Sequence, residues 1–182
     1  MTPAHSMGEA RFDRRRLLWS ATLGAGALVA GSLWKYDDVW AEKPRDRQGN
    51  AAVARRFYQV LNTGDLSLLK GTLAPSWAAH PLNPGQGPGR DGFGPVVQAF
   101  RTSFPDLHFT IEDLIVAREK VVVRSTARGT HQGTFLRVPP TGRRVEFRAT
   151  DIHRFANGLI VDTWHLEDFY SFLVEVKAFP AR

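Results

Sequence analysis

Two residues, Asn157 and Gly158, do most to limit how this chain can fold. Both accept positive φ, and an Asn-Gly pair between apolar runs is a strong signal for a two-residue hairpin turn. The run Val145 to Phe155 enters the turn and Ile160 to Leu166 leaves it, so the two are expected to lie antiparallel, side by side. Side chains two apart on a strand share a face. From Arg143 to Phe155 the odd positions read Arg, Val, Phe, Ala, Asp, His, Phe, which puts Asp151 and His153 on the face of Val145, Phe147 and Ala149. A carboxylate at the end of an apolar face is costly to bury ionised, so it must be paired, solvated or shifted in pKa.

The strand pattern extends upstream of the hairpin. Leu107, Phe109 and Ile111 alternate, Leu114 to Val116 continue the run, and Val121 to Thr130 is rich in β-branched residues, with a turn near Arg118-Glu119. Gln132 to Gly142 holds Pro139-Pro140 and reads as a loop or irregular hairpin. Before Asp106 the period is helical. Val53, Phe57, Val60 and Leu61 mark a first helix ended by Asn62-Thr63-Gly64, Asp65 can cap a short second one, and Phe93, Val96, Val97 and Phe100 mark a third, with Asp91 as its expected cap. Between them Trp77 to His80 is extended, and Pro81 to Gly89 is a Pro/Gly loop with room to act as a lid. Helices first and antiparallel strands after give an α+β layout, a curved sheet wrapped around about three helices with a cavity between. Phe169 to Phe179 is expected to close the chain as a short helix or edge segment.

Length, 182 residues, suits one such domain. Residues 1–41 read as a signal: Arg14, Arg15 and Arg16 precede an apolar Ala/Gly/Leu run to Trp34, and Val39-Trp40-Ala41 offers a cleavage point. The arginines followed by Leu17-Leu18 resemble a twin-arginine export address. The expected destination is the periplasm or the exterior, and the alternative is an uncleaved N-terminal anchor in the inner membrane, since Leu17 to Trp34 nearly reaches spanning length. Residues 42–50 read as a polar linker and 51–182 as the domain. There are no cysteines, which excludes disulfides, thiolate nucleophiles and Cys-based metal sites. The net charge of +6 is spread over strands and loops, so no nucleic-acid partner is expected.

Several side chains can carry chemistry, each beside a plainer role. Asp151 can move protons at a carbon flanked by carbonyls, or else pair with Arg124, Arg143 or Arg148. His131 extends the odd face of Val121 to Gly129 and can reach the same cavity, or sit neutral on a backbone carbonyl. His153 shares the Asp151 face. His80 adjoins the Pro/Gly loop and can close over a ligand. Trp164 and His165 fall on opposite faces, so only one of them points inward, and Trp164 there would be a stacking wall. Phe100 and Phe147 are core by spacing, with some such rings left to line the cavity. No HxxxH or similar spacing supports a metal site. The arginines at 124, 128, 148 and 154 occupy even faces, which reads as surface.

Phe104-Pro105-Asp106-Leu107, Lys120-Val121-Val122-Val123-Arg124, Gly129-Thr130-His131-Gln132-Gly133, Pro139-Pro140-Thr141-Gly142-Arg143, Asp151-Ile152-His153-Arg154 and Trp164-His165 come in the order seen in SnoaL-like polyketide cyclases. The resemblance covers roughly Ala51 to Asp168. It implies the cone fold of nuclear-transport-factor-like proteins and scytalone dehydratase, often a homodimer through the sheet. It also implies an intramolecular aldol closure without metal or organic cofactor, with Asp151 as general acid/base and His131 as the motif histidine. Export departs from that pattern, because aromatic polyketide cyclases work beside cytoplasmic synthases. Two functions therefore stand at this level: a cofactor-free cyclase, isomerase or hydrolase for a small carbonyl compound, and a non-catalytic envelope protein binding a small apolar or aromatic ligand. A structural partner acting through the sheet face is a third, weaker one.

Overall fold

A computed structural model describes residues 44–179. The expected signal at 1–41 lies outside these residues. Helix α1 spans Pro44–Thr63 and so begins inside the stretch expected to be a linker. The correction has a simple cause: proline is tolerated in the first turn, where its missing N–H has no intrahelical partner, so Pro44 can open a helix rather than forbid one. The helix stops where Gly64 takes φ 73° and its amide bonds the Val60 carbonyl. A 3-10 turn at Leu66–Gly71 follows, capped by the Asp65 carboxylate, which accepts from the Ser67 amide at 2.9 Å.

Strand β1 is Leu73–His80 and helix α2 is Phe93–Ser103. Asp91 does not cap α2; it lies in a separate 3-10 turn, Arg90–Gly92, and Gly92 holds the cap position with no side-chain bond. Four further elements are strands: β2 His108–Ala117, β3 Lys120–Thr130, β4 Arg144–Ala156 and β5 Leu159–Glu167. Helix α3, Phe169–Glu175, closes the fold behind an Asp168 cap that accepts from the Ser171 amide.

The sheet order is β1-β5-β4-β3-β2, parallel only between β1 and β5. Pro75 is accommodated because β1 is an edge strand, where a missing donor breaks no ladder. The β4–β5 turn forms as expected, with Asn157 at φ 52° and Gly158 at φ 75°. Burial alternates strictly along β4 from Val145 to Phe155. Its inner face packs on α1 and α2 through Phe57, Tyr58, Val97, Phe109 and Phe147, all buried. Among the described residues no helix is long and apolar enough to cross a membrane.

Candidate active site

The inner face of the sheet carries one row of chemistry. Across the ladder, Leu114 pairs with Val123, Val123 with Asp151, and Asp151 with His165. Directly opposed side chains on adjacent strands stand about 5 Å apart at Cβ, so Asp151 and His165 are neighbours by register. Both line a small cavity of about 40 Å³ with Phe57, Trp77, Phe100 and Glu167. That is space for a water or two, or for the tip of a larger molecule.

Asp151 is 6% exposed and, among the described residues, meets no arginine. Its Oδ2 accepts a short hydrogen bond from the Tyr58 hydroxyl, delivered by α1 from the opposite wall. Burial pushes the Asp151 carboxyl up to about 6; the Tyr58 bond opposes this, the Glu167 charge adds to it, and His165 opposes it. Burial also raises Tyr58, followed by the Asp151 charge and their shared bond, so the phenol stays protonated as the donor. The result is a carboxylate with its proton affinity near neutral pH, the property a general acid/base requires.

His165 is a fixed cation. Its Nδ1 lies 2.9 Å from a Glu167 carboxylate oxygen and its Nε2 lies 2.7 Å from the Pro81 carbonyl oxygen. With Glu167 ionised both partners only accept, so both ring nitrogens must donate, which requires imidazolium. The direction of its pKa agrees: the Glu167 bond raises it against the pull of burial. The cation faces Asp151 on one side and, through Pro81, holds the start of the Pro/Gly loop on the other. That loop is further tied down, since Gln86 is buried and its amide oxygen accepts from Asn83. Gly92 also admits the Gly87 carbonyl where a Cβ would lie only 2.0 Å from its oxygen. The segment expected as a lid contributes Asn83 to the cavity.

His131 is not beside Asp151. Asp151 pairs with Val123, eight residues earlier on β3, which is about 25 Å along a strand. The β3–β4 pairing runs one step past Thr130, since the His131 amide donates to the Arg143 carbonyl at 2.8 Å, while the Thr130 amide and hydroxyl donate to Asp106 at 2.6 and 2.7 Å. His131 keeps the buried odd face of β3, and the distance along the strand is what separates it from the Asp151 cavity. His131 is instead fully buried against Phe104 and Phe172, with Nδ1 3.1 Å from the Thr141 hydroxyl, and it anchors the 131–143 loop. Burial lowers its pKa.

His80 and Trp164 are also displaced from the site. Trp164 is 39% exposed on the outer face, stacked on His80 with centroids 5.1 Å apart and with the Lys120 ammonium 5.4 Å from its ring. His80 Nε2 sits 2.9 Å from Asp162, which Arg154 also bonds. The alternation that made Trp164 and His165 competitors is resolved in favour of His165. His153 lies on the inner face as expected but beneath the cavity. The Thr163 hydroxyl accepts from Trp77 Nε1 at 3.0 Å and lies 3.0 Å from His153 Nδ1, and burial drives the histidine down to about 3. It is neutral structure. Phe100 lines the cavity as expected, whereas Phe147 is core, packed on Phe109 and Phe169. The outer arginines form surface pairs, Arg124 with Asp113 and Arg128 with Glu146. Among the described residues no cluster of three or more His, Cys, Asp or Glu side chains is arranged to hold a metal.

The residues that sequence reasoning missed are Tyr58 and Glu167, while His165 was one of two open choices. Tyr58 had a signal. A tyrosine inside an apolar helical stripe with Ala54, Phe57 and Leu61 needs a partner for its hydroxyl.

The chain belongs to the SnoaL-like polyketide cyclase family, whose model matches residues 51–175. Solved structures agree. TsrD from Streptomyces laurentii is 27% identical over 73% of this chain and 98% of its own, with a TM-score of 0.68. IdmH from Streptomyces antibioticus, a proposed polyketide cyclase, is 31% identical over 70% of this chain and 98% of its own, at 0.62. A polyketide-cyclase-like protein from Jannaschia is 20% identical over 76% and 99%, at 0.66, a likeness of fold alone. No curated protein sequence matches this chain.

Proposed function

We propose that the protein is a cofactor-free enzyme of the cyclase or isomerase type acting on a small carbonyl-containing, polyketide-like compound. Asp151 takes a proton from a carbon flanked by carbonyls and returns one to the oxygen that becomes an alkoxide, closing an aldol ring. One observation carries this reading: Asp151 is a buried carboxylate with a phenol donor and no arginine, so its proton affinity is tuned rather than quenched. The fixed charge of His165 stabilises negative charge developing on the substrate oxygen, in a site with little water to screen it. Purified protein and Asp151→Asn are to be compared on β-dicarbonyl and polyketide-like compounds. A loss of about 100-fold or more in turnover is expected for the variant. Equal turnover by both removes Asp151 from the mechanism, and binding without turnover leaves a ligand carrier.

The same proposal covers address and assembly. Residues 1–41 direct export, so replacing Arg14, Arg15 and Arg16 with Lys is expected to empty the periplasmic fraction. A second copy packs on the outer face of the sheet. There Ile115, Val122, Ile152 and Trp164 follow one another by register across four strands, with Ile115 60% exposed.

A further inference from the structure

The 40 Å³ cavity at Asp151 is too small for a polyketide-sized molecule, but it shares part of its lining with a larger space. Asn83, Val96 and Phe100 line both it and a second, wider cavity of about 450 Å³. The walls of the wider chamber are apolar, with Phe135 and Phe169 facing Phe100, and its one charged lining residue is Arg137. Among the described residues no carboxylate pairs with Arg137.

Arg137 is held at this rim by an unusual turn. Phe135 and Val138 exchange both backbone hydrogen bonds, at 3.1 and 2.8 Å, across the two residues Leu136 and Arg137. Both of those residues have positive φ, 48° and 66°. A two-residue turn of this shape favours Asn and Gly, and side chains as large as Leu and Arg are strained in it. The turn rests on a rigid base. The amides of Gln132 and Gly133 donate to the Ser103 carbonyl, the Ser103 hydroxyl donates to the Thr134 carbonyl, and a Cβ at Gly133 would lie 2.6 Å from the Thr102 oxygen. Strained positions kept in place by an over-determined surround gather at ligand clamps.

The geometry points to a substrate that is apolar and flat in its body and carries an anionic group at the end remote from the reacting carbonyl. Arg137 binds the anion at the mouth, the phenylalanines take the body, and the carbonyl end passes the Asn83–Phe100 neck to Asp151. This rests on the enzyme reading above but is tested without turnover. Two fluorescent probes share one aromatic body: 8-anilinonaphthalene-1-sulfonate carries an anion and N-phenyl-1-naphthylamine does not. In 0.15 M salt, where surface attraction is largely screened, the native chain is expected to bind the sulfonate at least tenfold more tightly. Arg137→Asn suits the positive φ, so it folds, and it is expected to abolish that preference while leaving the neutral probe unchanged; Arg137→Lys retains most of it. A native chain without the preference, or a preference that survives Arg137→Asn, overturns the assignment. Asp151→Asn is expected to keep the probe preference, so a failure of the catalytic reading stays distinct from a failure at Arg137.

Discussion

Asp151 and Tyr58 are joined by a direct buried hydrogen bond, and each controls what the other can do. The phenol bond favours the ionised carboxylate while the apolar walls oppose it, so removing the phenol leaves burial opposed by His165 alone. Tyr58→Phe is expected to move the acid limb of kcat/KM from about 6 to higher pH and to cost about 1 to 3 kcal/mol in stability; a pH–rate profile reads the first and urea unfolding the second. The carboxyl itself has a stability signature. Its pKa rises from the ordinary 3.8 to about 6 on folding, so between those values the native state holds more protons than the unfolded chain, and stability falls as pH rises. The contribution is complete below pH 4 and lost above 6, and its size is about 3 kcal/mol. Asp151→Asn, whose amide oxygen still accepts from Tyr58, is therefore expected to equal the native chain at pH 4 and to exceed it at pH 8 in denaturant midpoint.

At the level of elements, two tight turns differ in how well their residues suit them. The β4–β5 turn has the residues its shape asks for. A Cβ at Gly158 meets nothing within 4 Å, so Gly158→Ala costs only the conformational penalty of φ 75°, about 1 to 2 kcal/mol; thermal melts check it. The Leu136–Arg137 turn has the wrong residues, and Arg137→Asn is expected to raise stability by about 1 kcal/mol while removing the cation. The contrast explains what sequence could reveal. Asn157-Gly158 and the alternation around them were legible because residue type and backbone shape agree there. Leu136-Arg137 announced no turn because type and shape conflict. His131 was misplaced because alternation says which face a strand residue takes but not which residue of the next strand it stands beside; the register puts Asp151 opposite Val123, eight residues before His131. Asp151 was legible from its own strand, whereas its partners Tyr58 and Glu167 come from α1 and the end of β5 and required the fold.

On the scale of the whole molecule, the five strands carry two parallel rows one residue apart. The inner row runs Leu114, Val123, Asp151, His165; the outer runs Ile115, Val122, Ile152, Trp164, His80. If the outer row holds a second copy, Trp164→Glu together with Leu166→Glu is expected to shift the protein to monomer in sedimentation while leaving probe binding in the inner chamber intact, since Trp164 and Leu166 both point outward. The two rows are set by one ladder of backbone hydrogen bonds, and that has a consequence for how such a protein can diversify. Point substitutions can retune the chemistry or the assembly separately, because each row has its own side chains. A one-residue insertion or deletion within β4 cannot, because it would turn part of the strand over and exchange inner residues for outer ones. Length changes in this lineage should therefore be confined to the loops, and two of these, Pro81 to Gly89 and the 131–143 segment bearing Arg137, line the wider cavity.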